Sequence, residues 1–102
     1  MGKVYQQGDV YIEAIASIPS GKKINRKNGK IVLAEGERTG HAHVIVAPKI
    51  KWIEANDKRY LDASTGFTVQ HEEHGTIDLP AGQYRVWQQR EYHPSAIRTV
   101  RD

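Results

Sequence analysis

Apolar and polar positions alternate along most of this chain, the period-two signature of strands that bury one face. Residues 9–15 (DVYIEAI) put Val10, Ile12 and Ala14 on one side. Residues 49–55 (KIKWIEA) and 59–63 alternate in the same way around Asn56–Asp57, a turn pair, and are predicted to be antiparallel partners. Residues 67–71 place Phe67, Val69 and His71 together, and 76–79 lead through the turn PAG (80–82) into a longer strand over 84–92. Asn28–Gly29 is the strongest hairpin signal, because a type I′ turn needs φ > 0 at both central positions. It is predicted to join a basic arm near Ile24 to a strand over 30–34. Residues 35–40 read as a turn pivoting on Gly36 and Gly40, 42–47 as a strand stopped by Pro48, and 96–100 as a short last strand. No window shows sustained i, i+3, i+4, i+7 apolar spacing. The prediction is one all-β domain over residues 1–102, a small barrel or sandwich of about seven to nine short, mostly antiparallel strands.

Cysteine is absent, which excludes disulfides, thiolate metal sites and a cysteine nucleophile. Any transition metal would have to be held by His, Asp or Glu. The first ten residues, MGKVYQQGDV, lack the apolar run of a signal peptide, and the longest aliphatic stretch, VIVA at 44–47, is far too short to span a bilayer. A soluble, cytoplasmic protein with no membrane partner is the expectation.

Four of the five histidines sit in two short clusters, TGHAHVIV (39–46) and QHEEHG (70–75). On a strand, His41 and His43 share a face with roughly 6–7 Å between them, close enough for two imidazoles to converge on one ion. A third ligand would come from HEEH. There the spacing is awkward, since a regular strand sends His71 and His74 to opposite faces. A strand that stays regular favours His71; a bend after Gln70 makes His74 equally good, and the sequence leaves both open. Glu72 and Glu73 offer a carboxylate, as a further ligand or as a catalytic base. Such a set suits one divalent transition metal, zinc, iron, manganese or nickel, and an open coordination position would permit hydrolysis. The alternatives are a hydrogen-bonded surface cluster without metal, and metal-free acid–base chemistry on a phosphodiester.

Two resemblances follow from these residues. HAH (41–43) together with LPAGQY (79–84) is similar to the two short motifs of the cupins, an HxH strand and a Pro-x-Gly turn entering another strand. That resemblance implies a pocket binding a metal or small ligand. The sequence departs from it in having no Glu shortly after His43 and no His after the PAG turn. The longer string VLAEGERTGHAH (32–43), HEEH (71–74) and LPAGQYRVWQQREY (79–92) resembles a small family of uncharacterised proteins met in bacteria and their phages. That resemblance implies a β-rich accessory domain, of a kind that binds a host protein, and it leaves a homo-oligomer open.

Charge adds a separate candidate surface. The net charge is +3, but Lys22, Lys23, Arg26, Lys27 and Lys30 crowd into residues 20–30 without an acid. Without those five, 10 basic residues face 12 acidic ones, a net of −2. The basic segment could contact nucleic acid or another anion, or serve as a solvated, edge-protecting tip. Arg90, in RVWQQREYH (85–93), could join it or pair with Glu72 or Glu73. Trp52 and Trp87 are expected to anchor the core. Two function classes result: a metal- or small-ligand-binding domain with a hydrolytic option, and a non-enzymatic module that binds a host protein or nucleic acid through the basic segment.

Overall fold

A computed structural model describes residues 2–35 and 40–89. Within them the alternation becomes ten strands: β1 (Val4–Gln7), β2 (Val10–Ile15), β3 (Lys22–Lys23), β4 (Ile31–Glu35), β5 (Ala42–Ile45), β6 (Ile50–Ala55), β7 (Lys58–Ala63), β8 (Phe67–Gln70), β9 (Ile77–Leu79) and β10 (Gly82–Gln88). They form two antiparallel sheets, one ordered β1-β2-β10-β7-β6-β3 and the other β4-β5-β8-β9. Among the described residues no strand of one sheet pairs with the other, so there is no closed barrel. The sheets are joined through a shared core. Val10 and Ile12 of β2, Ile31 and Leu33 of β4, Ile45 of β5, Leu61 of β7 and Val69 of β8 lie in one buried cluster.

Two turns form where the sequence placed them. Asn28 and Gly29 have φ of 51° and 78°, and Asn56 and Asp57 have 53° and 64°, the paired left-handed residues of type I′ turns. The second closes the β6–β7 hairpin, whose register runs from Ala55↔Lys58 to Ile50↔Ala63. The first closes only a single bridge, Lys27↔Lys30. The basic arm does not pair with β4 as predicted. Its residues Lys22 and Lys23 lie antiparallel to β6, and the Ile24 amide donates to the Trp52 carbonyl at 2.7 Å. Ile24 packs against the core from that position, and its burial decides the pairing. β1 was not foreseen. It is half polar, and its register with β2 (Val4↔Glu13 to Gln7↔Val10) is set by the tight Gly8–Asp9 turn. The expected strand over 96–100 and residues 90–92 of the expected 84–92 strand lie outside the described residues.

Arg59 crosses between the sheets. Its Nη1 donates to the Leu33 carbonyl at 2.8 Å while the guanidinium lies 5.2 Å from the Trp52 ring centroid. Trp52 is a core anchor, as expected; Trp87 is not. It faces away from the core, stacked on Tyr11 at 5.4 Å with Arg85 over its ring at 4.4 Å.

Leu61 is fully buried and stands opposite Tyr84 on one side and Trp52 on the other. Leu61→Ala is expected to lower unfolding free energy by about 2–5 kcal/mol, the range for a cavity in a rigid core. Urea titration would show it as a lower midpoint at unchanged slope.

Candidate functional site

The two histidine clusters meet. β5 pairs with β8 through Val44↔Gln70 and Ile45↔Val69, and one more step of that register sets His71 opposite His43. Their ring centroids are 4.2 Å apart. His43 is buried among inward-facing residues of β5, whereas His41, just before the strand, is half-buried with its ring 5.9 Å from His71.

The spacing problem in HEEH is solved by His71 itself. β8 ends at Gln70, and the His71 Nδ1 accepts hydrogen bonds from the amides of Glu73 (3.0 Å) and His74 (3.2 Å). That cap bends the chain back and brings the His74 ring to 4.6 Å from His71 and 5.9 Å from His43, near-parallel to the latter. The two glutamates hold the bend in place. Glu72 Oε1 accepts from the Ala42 amide at 3.1 Å, and Glu73 Oε2 lies 3.4 Å from His41 Nδ1. Backbone hydrogen bonds, from its own amide and from Ala42, hold the Glu72 carboxyl below its ordinary range.

A second group of residues comes from the β1–β2 turn. Gln7 is buried, and its Nε2 donates to the carbonyls of Val69 (3.0 Å) and Gly75 (2.8 Å). Both partners can only accept, so the carboxamide orientation is fixed and Oε1 faces His43 Nδ1 at 2.8 Å. Nδ1 therefore carries the hydrogen. The other ring nitrogen, Nε2, faces Asp9 Oδ1 at 3.5 Å. Asp9 Oδ2 accepts from Gln88 Nε2 at 2.8 Å. Gly8, at φ 60°, lies beneath the rings; a Cβ there would sit 2.7 Å from His74 Nε2 and 3.3 Å from His43 Cε1. The histidine pattern alone did not point to Gln7, Gly8 and Asp9. The available signal was the Gln-Gly-Asp turn directly ahead of an alternating strand.

Among the described residues, no group of three or more His, Asp or Glu side chains is disposed, as it stands, to hold a metal ion. Hydrogen bonds also restrict two of the candidates. The His71 lone pair is committed to two amides, and the Glu72 carboxylate to another.

The basic segment lies elsewhere. β3, with exposed Lys22 and Lys23, and β1 are opposite edges of the six-stranded sheet. Lys27 and Lys30 are exposed near the turn, and Lys27 Nζ is 3.9 Å from Glu35. Arg26 is drawn inward, donating to the carbonyls of Ile50 (2.8 Å) and Gly29 (3.2 Å). Arg90 lies outside the described residues. No helix is long and apolar enough to cross a membrane among the described residues.

A family model described as a domain of unknown function, DUF8820, matches residues 6–89. The chain belongs to the DUF8820 family. The matched span takes in Gln7, Asp9 and all four clustered histidines. Comparison with curated proteins and with solved structures gave no match.

Burial pushes the His43 imidazole below its ordinary value of 6.5; His71 adds to the lowering, Asp9 opposes it, and His74 lowers it further. The unfolded chain therefore takes up a proton before the folded one does. Stability contributed by neutral His43 is present above about pH 6.5 and is lost as pH falls from there toward the depressed folded value. Metal-free protein should accordingly show a lower urea midpoint at pH 5.5 than at pH 7.5, and His43→Gln should flatten that difference.

Proposed function

We propose that this DUF8820 domain binds a divalent transition metal of the zinc, iron, manganese or nickel class, or a small ligand through it, at the imidazole cluster. The observation that carries the reading is the meeting of His41, His43, His71 and His74, from two distant segments, with neighbouring ring centroids 4.2–5.9 Å apart. Crowded imidazoles disfavour one another's protonation, because each positive ring raises the energy of the next. Rings kept neutral in this way retain lone pairs, and those not already spent on hydrogen bonds, as that of His71 Nδ1 is, can share one divalent ion. Binding is favoured over hydrolysis, because Glu72 accepts from a backbone amide and Glu73 is turned toward His41, leaving neither aimed at a shared reactive point. Uptake requires rotation of turn-borne side chains, and so affinity below that of a preformed structural site.

A second reading rests on the exposed Lys22, Lys23, Lys27 and Lys30: a host-protein or nucleic-acid contact along β3 and the turn leading into β4. It would be steeply salt-dependent and insensitive to the histidines.

Titration calorimetry of tag-free protein with Zn²⁺ tests the first reading. One ion per chain is expected, weakened at least about tenfold by His43→Ala and unaffected when the four lysines are neutralised. Wild-type protein that takes up no divalent metal would end it.

A further inference from the structure

We infer that the β1–β2 turn is the missing half of this site: Asp9 and His74 are ligands alongside His43, Gln7 is the positioning residue that holds His43 with Nε2 toward the ion, and His71 is a structural cap. This inference rests on the metal-binding reading above and goes beyond it by naming the donor set, N₂O from the protein with solvent completing the shell.

The first support is the environment of His43. Its Nδ1–H is bonded to Gln7 Oε1, and the Gln7 carboxamide cannot turn over because Val69 and Gly75 present carbonyls to its other end. A histidine that ligates a metal through one nitrogen characteristically donates its other N–H to an oxygen that fixes tautomer and ring orientation. Neutral His43 so held directs an Nε2 lone pair at a carboxylate oxygen 3.5 Å away. Two acceptors facing each other are repulsive unless a proton or a metal ion lies between them, and burial of His43 disfavours the proton. The separation is long for a hydrogen bond. It is close to the roughly 3.3 Å between two ligands that each lie about 2.0–2.1 Å from a tetrahedral ion.

The second support is the convergence over Gly8. His74 Nε2 and the His43 ring edge both overhang this residue, at 2.7 and 3.3 Å from where a Cβ would stand. The turn that carries Asp9 thus lies directly under both rings. His74 is exposed and Asp9 Oδ1 is outside the Gln88 hydrogen bond, so each can adjust without unpacking the core.

His71 is assigned differently because its Nδ1 accepts from two backbone amides. A neutral ring accepting at Nδ1 carries its hydrogen on Nε2 and has no lone pair left for an ion. Nitrogen and oxygen donors without sulfur suit borderline divalent ions.

Co²⁺ is the probe, read by its visible ligand-field bands and by Zn²⁺ competition, on protein whose fold is checked by amide NMR. Asp9→Asn and His74→Ala are each expected to weaken Co²⁺ binding at least about tenfold. His71→Asn, whose side-chain oxygen can still accept from the two amides, should change it less than about threefold. Gln7→Met is expected to weaken binding about 10–100-fold and, in metal-free protein, to shift the His43 ring ¹⁵N signals away from the Nδ1–H tautomer. A purely packing role for Gln7 would leave that tautomer unchanged. Should His43→Ala abolish binding while Asp9→Asn matches wild type, or His71→Asn abolish it while His74→Ala does not, the donor set is overturned and the metal reading survives. Absence of Co²⁺ and Zn²⁺ uptake by wild type overturns both.

Discussion

A buried carboxamide must direct two N–H groups and an oxygen to partners, and Gln7 does so across the gap between the two sheets. It sits on an edge strand of one sheet and is bonded to Val69, Gly75 and His43, all belonging to the other sheet or its β8–β9 connection. Leaving such a group unpaired costs about 1–3 kcal/mol per buried polar atom, so the edge strand, the bend after β8 and the ring of His43 are fixed relative to one another. The core residues hold the sheets together without direction. Gln7 supplies direction at the one margin where imidazoles accumulate.

The bend itself shows how four titratable rings can be packed without a covalent staple. Its turns are closed by the same residues that form the cluster: His71 caps the bend, Glu72 ties it to the start of β5, and Glu73 lies beside His41. Structure and chemistry therefore draw on the same side chains, and each polar atom spent on a turn is withdrawn from catalysis or coordination. This is why the cluster is close-packed while no three donors already surround a common point. Gly8 is the permissive element. Its left-handed backbone and missing Cβ let the β1–β2 turn pass under His43 and His74, and any side chain there would meet both strain and the His74 ring.

Much of the architecture was legible in the sequence because alternation reports burial directly. Val10, Ile12, Phe67 and Val69 all face the core as their spacing required, and Asn28–Gly29 and Asn56–Asp57 turn as their conformational preferences dictate. Strand partners were less legible. The basic arm pairs with β6 because Ile24 finds the core there, a preference that local pattern does not encode. The histidines were visible as a cluster, but the choice between His71 and His74 depends on a side-chain-to-amide cap that no spacing rule contains. Gln7 and Asp9 were invisible for a related reason. In VYQQGDV they read as ordinary polar residues of a turn, and only the cross-sheet distances show that one is buried and the other faces an imidazole nitrogen.

The separation of the lysines from the imidazoles bears on how the domain would work. Arg26, the residue best suited to bidentate anion contacts, has its guanidinium bonded to two backbone carbonyls instead. What remains exposed there is a short edge strand flanked by lysines, the arrangement that keeps a sheet from pairing with another chain. The polar investment of the fold lies at the opposite edge. A buried glutamine, a buried histidine and a partly exposed aspartate are held there by hydrogen bonds among four segments far apart in sequence. Burying polar groups in a small domain is unfavourable unless each is satisfied, and His43 Nε2 is left facing a carboxylate, where a neutral nitrogen has nothing to donate. That pair of acceptors needs a proton or a metal ion between them, and burial, which disfavours the proton, is the physical reason to look for a metal ion at this edge.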